Sequence, residues 1–225
     1  MTEIHVLLDK SGSMRTIKDD SIGGYNEFLD LQKASENADT IYWSLSTFNN
    51  NYENEFSGVK VNNVQYLKND DIFVSGGTAL YDALGQLIQL IDEKRFQNYI
   101  IVIITDGCEN SSKNYDSRMI KKLIESKTSN KRKACDPTWD FIYLGANQDA
   151  ILESSKIGIK NESTLNYHTN KQSINKLYKG VSNAISRKIS DHNSILSFTD
   201  LERNATQQEI YSLYPPKICR SKTIN

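Results

Sequence analysis

Short apolar runs recur along the chain, and two of them end on an aspartate. Residues 4–8 lead directly to Asp9, and residues 99–104 lead through Thr105 to Asp106. Continuous runs this short, rich in β-branched residues, are typical of strands covered on both faces of a parallel sheet. Further strands are predicted over 40–48 and 139–144, with weaker ones over 165–168 and near 59–64, the last as a short antiparallel edge.

Between these runs, apolar positions three and four residues apart predict helices. One stripe, over 79–91, begins just after Thr78, and another, over 22–29, follows the capping-type residues Asp20 and Ser21. Further helices are predicted over 119–124, 150–157 and 174–189. Strands alternating with helices imply right-handed crossovers, so the predicted fold class is α/β: a doubly wound, mostly parallel sheet with helices on both faces. In such a sheet the ligand site lies beyond the carboxyl ends of the strands, where both aspartates would emerge.

We expect residues 1–193 to form one α/β domain, and 194–225 to form a carboxyl-terminal helix and tail that is packed on it or partly flexible. A length of 225 residues suits this arrangement. The terminal segment has apolar positions at helical spacing, followed by two prolines and a short basic end. These positions are Phe198, Leu201, Ala205, Ile210 and Leu213.

Composition narrows the range of partners and compartments. With 27 basic and 28 acidic side chains, the chain has no global field to hold nucleic acid or an anionic membrane. The basic stretch 127–133 has no interleaved aromatic residues and is interpreted as a solvated loop. No run reaches the ~20 apolar residues of a membrane helix, and the first run is too short for a signal peptide. Cys108, Cys135 and Cys219 are widely spaced and fit a reducing cytoplasm better than a disulfide framework, so we expect a cytoplasmic protein.

Oxygen-bearing side chains follow the two strand ends and the glycine pair Gly76-Gly77. They are Asp9, Ser11, Ser13, Thr78 and Asp106. An all-oxygen set suits Mg²⁺, Mn²⁺ or Ca²⁺ rather than zinc, which favours nitrogen and sulfur ligands. Mg²⁺ prefers octahedral geometry and keeps waters, so a site with few carboxylates leaves a position open for an aspartate or glutamate of a partner protein. The alternative is that these residues merely cap helices and loops.

Several residues beside this set have two interpretations. Asp82 lies one turn into the helix predicted over 79–91, where it would either hold the site from outside or be solvated. Lys10, Met14, Glu109 and Asn110 flank the candidate ligands, either as a rim that selects the partner or as ordinary exposed loop residues.

The ordered set resembles the metal-ion-dependent adhesion site of the von Willebrand factor A domain. That site consists of Asp-x-Ser-x-Ser, a distant threonine and a distant aspartate, matched here by Asp9, Ser11, Ser13, Thr78 and Asp106. The resemblance covers residues 4–157. It implies a Rossmann-like α/β fold and a metal that coordinates an acidic residue of a protein ligand. In this family the two serines usually contact the metal directly, while the aspartates and the threonine contribute directly or through water.

Within this family, the chain most resembles the stand-alone intracellular members of bacteria and their viruses, including those near tellurium-resistance genes. This similarity rests on the segments 76–83 and 141–149 and on the missing secretion signal. The leading hypothesis is a metal-dependent protein-interaction module, and since binding an acidic group at the metal requires no nucleophile or general base, we expect no enzymatic activity.

Two other functions are compatible with the residues. One is Mg²⁺-dependent phosphotransfer of the haloacid-dehalogenase type, with Asp9 as nucleophile. That chemistry needs a second carboxylate two residues later, and Ser11 occupies this position. The other is a structural or assembly protein whose metal only stabilises the fold.

Overall fold

The computed structural model describes residues 1–91, 95–129, 136–146, 149–167, 171–191 and 194–207, without the side chains of 171 and 172. In these residues the strands are β1 (Thr2–Asp9), β2 (Ile41–Phe48), β3 (Tyr52–Lys60), β4 (Asn98–Thr105), β5 (Thr138–Ala146) and β6 (Thr164–Tyr167). The helices are α1 (Lys18–Lys33), α2 (Leu80–Leu90), α3 (Ser117–Thr128), α4 (Ala150–Lys156), α5 (Lys171–Ser190) and α6 (Asp200–Gln207).

The strands form one sheet in the order β3-β2-β1-β4-β5-β6. All neighbouring pairs are parallel except β2 and β3, which are antiparallel. The predicted fold class, a doubly wound and mostly parallel α/β sheet, is therefore confirmed. The chain moves outward from β1 in both directions, so the order reverses between β1 and β4. Ligands of open α/β sheets bind beyond the carboxyl ends of the strands at this point.

Both faces of the sheet are covered by helices, which explains the unbroken apolar runs. α1 and α5 pack on one face, where alternate residues of β4 (Ile100, Val102 and Ile104) are buried. α2, α3 and α4 pack on the other face against Ile101 and Ile103. All eight residues of β4 are buried, because successive side chains point to opposite faces and both are covered.

The antiparallel edge strand exists, but its predicted position was wrong. The prediction was near 59–64, whereas β3 begins at Tyr52 and residues Val61–Asn63 form a 3-10 turn. β3 has mostly exposed or half-buried side chains, including Glu53, Asn54 and Glu55. An edge strand with one solvated side keeps polar residues, so it lacks the apolar signal of the central strands.

The first helix also begins earlier than its predicted cap. α1 starts at Lys18, and Ile17 precedes it without a side-chain cap. The reason is that the loop after β1 continues as a 3-10 turn, Gly12–Thr16, directly into the helix. The predicted cap residues Asp20 and Ser21 therefore lie inside the first turns.

Part of the predicted carboxyl-terminal helix is described, as α6. Phe198 just before it is buried, but Leu201 is 82% exposed, so the apolar stripe does not form its packed face. Polar contacts hold it instead: Arg187 donates two hydrogen bonds of 2.9 Å to Glu202, and Arg203 donates to the carbonyl of Thr164 at 3.1 Å. Ile210, Leu213 and the rest of 208–225 lie outside the described residues, as do His168, 130–133 and 147–148 of the predicted segments. None of the described helices has the length and apolarity needed to cross a membrane.

Candidate metal centre

The loop after β1 carries three of the candidate ligands. Asp9 ends β1, and its Oδ1 atom accepts the backbone N–H of Ser11 at 2.7 Å. The N–H of Gly12 donates to the carbonyl of Gly76 at 2.9 Å. A β-carbon at position 12 would lie only 3.2 Å from that carbonyl oxygen, so glycine permits the close approach of the two loops.

Side-chain hydrogen bonds join this loop to the end of β4. Ser13 Oγ donates to Asp106 Oδ1 at 2.6 Å and lies 3.1 Å from Ser11 Oγ. Thr105 Oγ1 donates to Asp9 Oδ2 at 2.6 Å. β1 and β4 are parallel neighbours in register, so their carboxyl ends lie side by side. The structure thus brings together groups that are far apart in the sequence.

Thr78 reaches the same place from the loop before α2. A β-carbon built on Gly107 would lie 2.7 Å from Thr78 Oγ1, 3.3 Å from Ser13 Oγ and 3.4 Å from Asp9 Oδ2. Oxygen atoms from the loop before α2 and from the end of β1 and its loop therefore lie close together beside residue 107, and they can do so because that residue has no side chain.

This group of side chains has one accessible side. Asp9, Ser11, Thr78 and Asp106 are buried, whereas Ser13 is exposed. Two carboxylates and three hydroxyls are hard oxygen donors, which suit Mg²⁺, Mn²⁺ or Ca²⁺. In the described part of the chain, no cluster of three or more His, Cys, Asp or Glu side chains could hold a metal ion. A metal bound here would therefore depend on the hydroxyls.

Burial makes the negative charge of Asp9 costly. Desolvation raises the pKa of Asp9 to about 6, with a smaller contribution from the nearby carboxylate of Asp106, although hydrogen bonds from Thr105 and Ser11 lower it. An opposite charge close to a buried carboxylate favours its ionised form. A divalent cation at this site would supply that charge, so the electrostatics of the site fit a bound cation.

The flanking residues have varied surroundings. Lys10 Nζ forms an ion pair of 2.6 Å with Glu53 on β3. Met14 is buried in the core beside α1, so both interpretations offered for it, a rim residue and an exposed loop residue, were wrong. The carboxylates of Asp82 and Glu109 accept N–H groups that belong to residues 111–115 and to the start of α2. Asn110 is exposed, but its Oδ1 atom accepts the backbone N–H of Thr78 at 3.0 Å.

Sequence reasoning missed two residues of this site. Thr105 holds Asp9 through its hydroxyl, and Gly107 leaves room among the oxygen atoms. Both lie directly beside Asp106 in the sequence, so the available signal was a small or hydroxyl-bearing residue on each side of a strand-end aspartate.

Cys108, which follows Gly107 in the sequence, is disulfide-bonded, and this contradicts the expectation of free thiols. The other two cysteines of the chain lie outside the described residues. Wide spacing along the sequence says little about distances in the folded chain, because connectivity cannot be deduced from spacing alone.

Comparison with known proteins identifies the fold. No family model matches the sequence, and no curated protein matches it. Proximal thread matrix protein 1 from the mussel byssus, with a zinc-occupied MIDAS motif, has a TM-score of 0.61 at 14% identity, covering 82% of this chain and 46% of that one. A von Willebrand factor type A protein from Catenulispora acidiphila has a TM-score of 0.55 at 16% identity, covering 80% and 41%.

A third similar structure is the pilus adhesin SpaC from Lactobacillus rhamnosus GG. Its TM-score is 0.63 at 13% identity, with 83% of this chain and 31% of that chain covered. This chain spans less than half the length of each of the three proteins. At such low identities the likeness shows the fold alone, which is that of the von Willebrand factor A domain.

Proposed function

We propose that this protein is a metal-dependent protein-binding module. A divalent cation, Mg²⁺ or else Mn²⁺ or Ca²⁺, is held by five side chains and coordinates an aspartate or glutamate of a partner protein. The five are Asp9, Ser11, Ser13, Thr78 and Asp106. The observation that carries this proposal is the convergence beside Gly107 of the oxygen atom of Thr78, from the loop before α2, with those of Asp9 and Ser13, from the end of β1 and the loop after it.

The donor set supports binding of an acidic group. Three of the five oxygen donors are neutral hydroxyls, and where one or both aspartates act through water the cation stays electrophilic toward an incoming carboxylate. Because Ser13 is exposed, a carboxylate can approach from that side. The zinc-occupied MIDAS motif of proximal thread matrix protein 1 is consistent with divalent-metal binding on this fold.

Phosphotransfer with Asp9 as nucleophile has less support. Both carboxylate oxygens of Asp9 already accept hydrogen bonds, from Ser11 and Thr105, and the side chain is buried. Ser11 stands where this chemistry requires a second carboxylate. We therefore propose a binding module rather than an enzyme. We also propose, from the sequence, that the protein is a stand-alone intracellular member of the bacterial and phage type, located in the cytoplasm.

The first experiment measures Mg²⁺ and Mn²⁺ binding by calorimetry. The double variant Ser11→Ala with Ser13→Ala should lose binding, whereas Ser126→Ala, an exposed serine on α3, should bind like the wild type. The second experiment is partner capture from the native host with and without chelator, for the wild type, Asp9→Ala and Thr78→Ala. Partners retained under every condition would refute the metal as the bridge. Turnover of aryl phosphates that depends on Asp9 would instead favour the phosphotransfer function.

A further inference from the structure

The loop that follows β4 is attached to α2 by a buried carboxylate. Asp82, on the first turn of α2, is 8% exposed. Its Oδ1 atom accepts the backbone N–H groups of Asn114 at 2.9 Å and Tyr115 at 2.8 Å, and its Oδ2 atom accepts that of Lys113 at 2.9 Å. One carboxylate on a helix thus fixes three consecutive residues of the loop.

A second carboxylate makes the reverse connection, from the loop to the helix. Glu109 Oε2 accepts the N–H of Tyr81 at 3.0 Å. This N–H lies in the first turn of α2, where backbone donors have no acceptor within the helix. Glu109 Oε1 accepts the N–H groups of Ser111 at 2.9 Å and Ser112 at 2.8 Å. A negative charge at a helix amino terminus is also favoured by the helix dipole.

Thr78 itself is bound to the same loop through its backbone. Its N–H donates to Asn110 Oδ1 at 3.0 Å, and its carbonyl accepts the N–H groups of Asn110 at 3.0 Å and Ser111 at 3.3 Å. The proposed ligands Thr78 and Asp106 therefore belong to one hydrogen-bonded unit. Asp82 and Glu109 connect its two halves.

We propose that Asp82 and Glu109 are positioning residues that set the affinity for the divalent metal by fixing Thr78 relative to Asp106. This inference rests on the proposed metal site. A metal tolerates little error in the placement of its ligands, and loss of groups that orient ligands typically weakens binding by ~10–100-fold. Asparagine at position 82 or glutamine at position 109 keeps the size of the side chain, but its NH₂ group faces backbone donors and removes acceptor capacity.

The test is calorimetric titration of Mg²⁺ and Mn²⁺ into the wild type, Asp82→Asn, Glu109→Gln and a matched control, Asp149→Asn. Asp149 is also a carboxylate that accepts a backbone N–H at a helix start, from Leu152 at 3.0 Å, but it caps α4, a different helix. We expect about 10–100-fold weaker binding for the first two variants and wild-type affinity for Asp149→Asn. Glu109 is only half-buried, so Glu109→Gln disturbs the core less and provides a second measurement if Asp82→Asn folds poorly.

A double-variant measurement separates positioning from general loss of stability. Because Asp82 acts through the placement of Thr78, Asp82→Asn should weaken metal binding far less in a Thr78→Ala background than in the wild type. Equal losses in both backgrounds would overturn the inference, as would wild-type affinity in both Asp82→Asn and Glu109→Gln. A wild type that binds no divalent metal would instead refute the proposed function, and the inference with it.

Discussion

The sharpest prediction concerns Gly107, because a single methyl group there would crowd three of the oxygen atoms assigned to the metal. In Gly107→Ala, the new carbon would lie 2.7 Å from Thr78 Oγ1, closer than such contacts occur, and within 3.4 Å of Ser13 Oγ and Asp9 Oδ2. The backbone itself does not require glycine, since the φ angle of residue 107 is not positive. The effect should therefore fall on the site.

The size of the effect follows from these distances. Mg²⁺ binds oxygen atoms at about 2.0–2.1 Å, so a methyl group among the same atoms must displace either a ligand or the ion. We expect the affinity for Mg²⁺ to fall by more than the ~10–100-fold that loss of an outer hydrogen-bond partner costs. Crowding should also lower the free energy of unfolding in chelator by about 1–3 kcal/mol.

Calorimetric titration, combined with thermal unfolding with and without chelator, measures both effects. Gly23→Ala is the matched control, because a β-carbon at position 23 of α1 meets no atom within 4 Å. It should bind metal normally and be more stable by roughly 0.5–1 kcal/mol, since alanine is favoured over glycine in a helix. Wild-type metal affinity in Gly107→Ala would refute the location of the site.

Three further predictions concern pH, helix packing and α6. The raised pKa of Asp9, about 6, means that the folded metal-free protein holds an extra proton between the ordinary value of 3.8 and that pH. The stability that this proton gives the metal-free protein should thus be lost as pH rises through 6. With Mg²⁺ added, the rise in unfolding temperature should shrink as pH falls from about 7 to 5, because protons compete with the metal. In thermal unfolding, Asp9→Asn should remove both trends. Gly24→Ala should lower the free energy of unfolding, measured in urea, by about 1–3 kcal/mol, because its β-carbon would clash with a ring carbon of the buried Tyr178. Stability equal to that of Gly23→Ala would contradict this. Arg187→Lys loses the two-point contact with Glu202, so hydrogen exchange in α6 should accelerate. The free energy of unfolding should change by less than about 1 kcal/mol, the typical scale for a partly exposed ion pair. Unchanged exchange would show that other contacts hold the helix.

Residues buried on both sides were predictable from the sequence. The runs leading to Asp9 and Asp106 had to be covered strands, because such continuous apolar surface cannot remain in water. Their parallel order follows from the helices between them, so the meeting of the two aspartates at one edge was predictable too. The edge strand β3 was misplaced because an exposed strand carries no comparable hydrophobic pattern.

The chemical identity of the candidate ligands, with their oxygen donors and their place after strands, is a property of the sequence alone. What only the tertiary structure decided is how those ligands are held. The sequence left open whether Asp82 holds the site from outside or is solvated, and whether Glu109 is a rim residue or an ordinary exposed one. In the structure their carboxylates accept backbone N–H groups from another segment. Hydrogen bonds of this kind depend on which loops lie side by side, and a local sequence pattern contains no information about a backbone donor elsewhere in the chain. For the same reason, only the folded chain shows that oxygen atoms of Thr78, Ser13 and Asp9 converge beside Gly107.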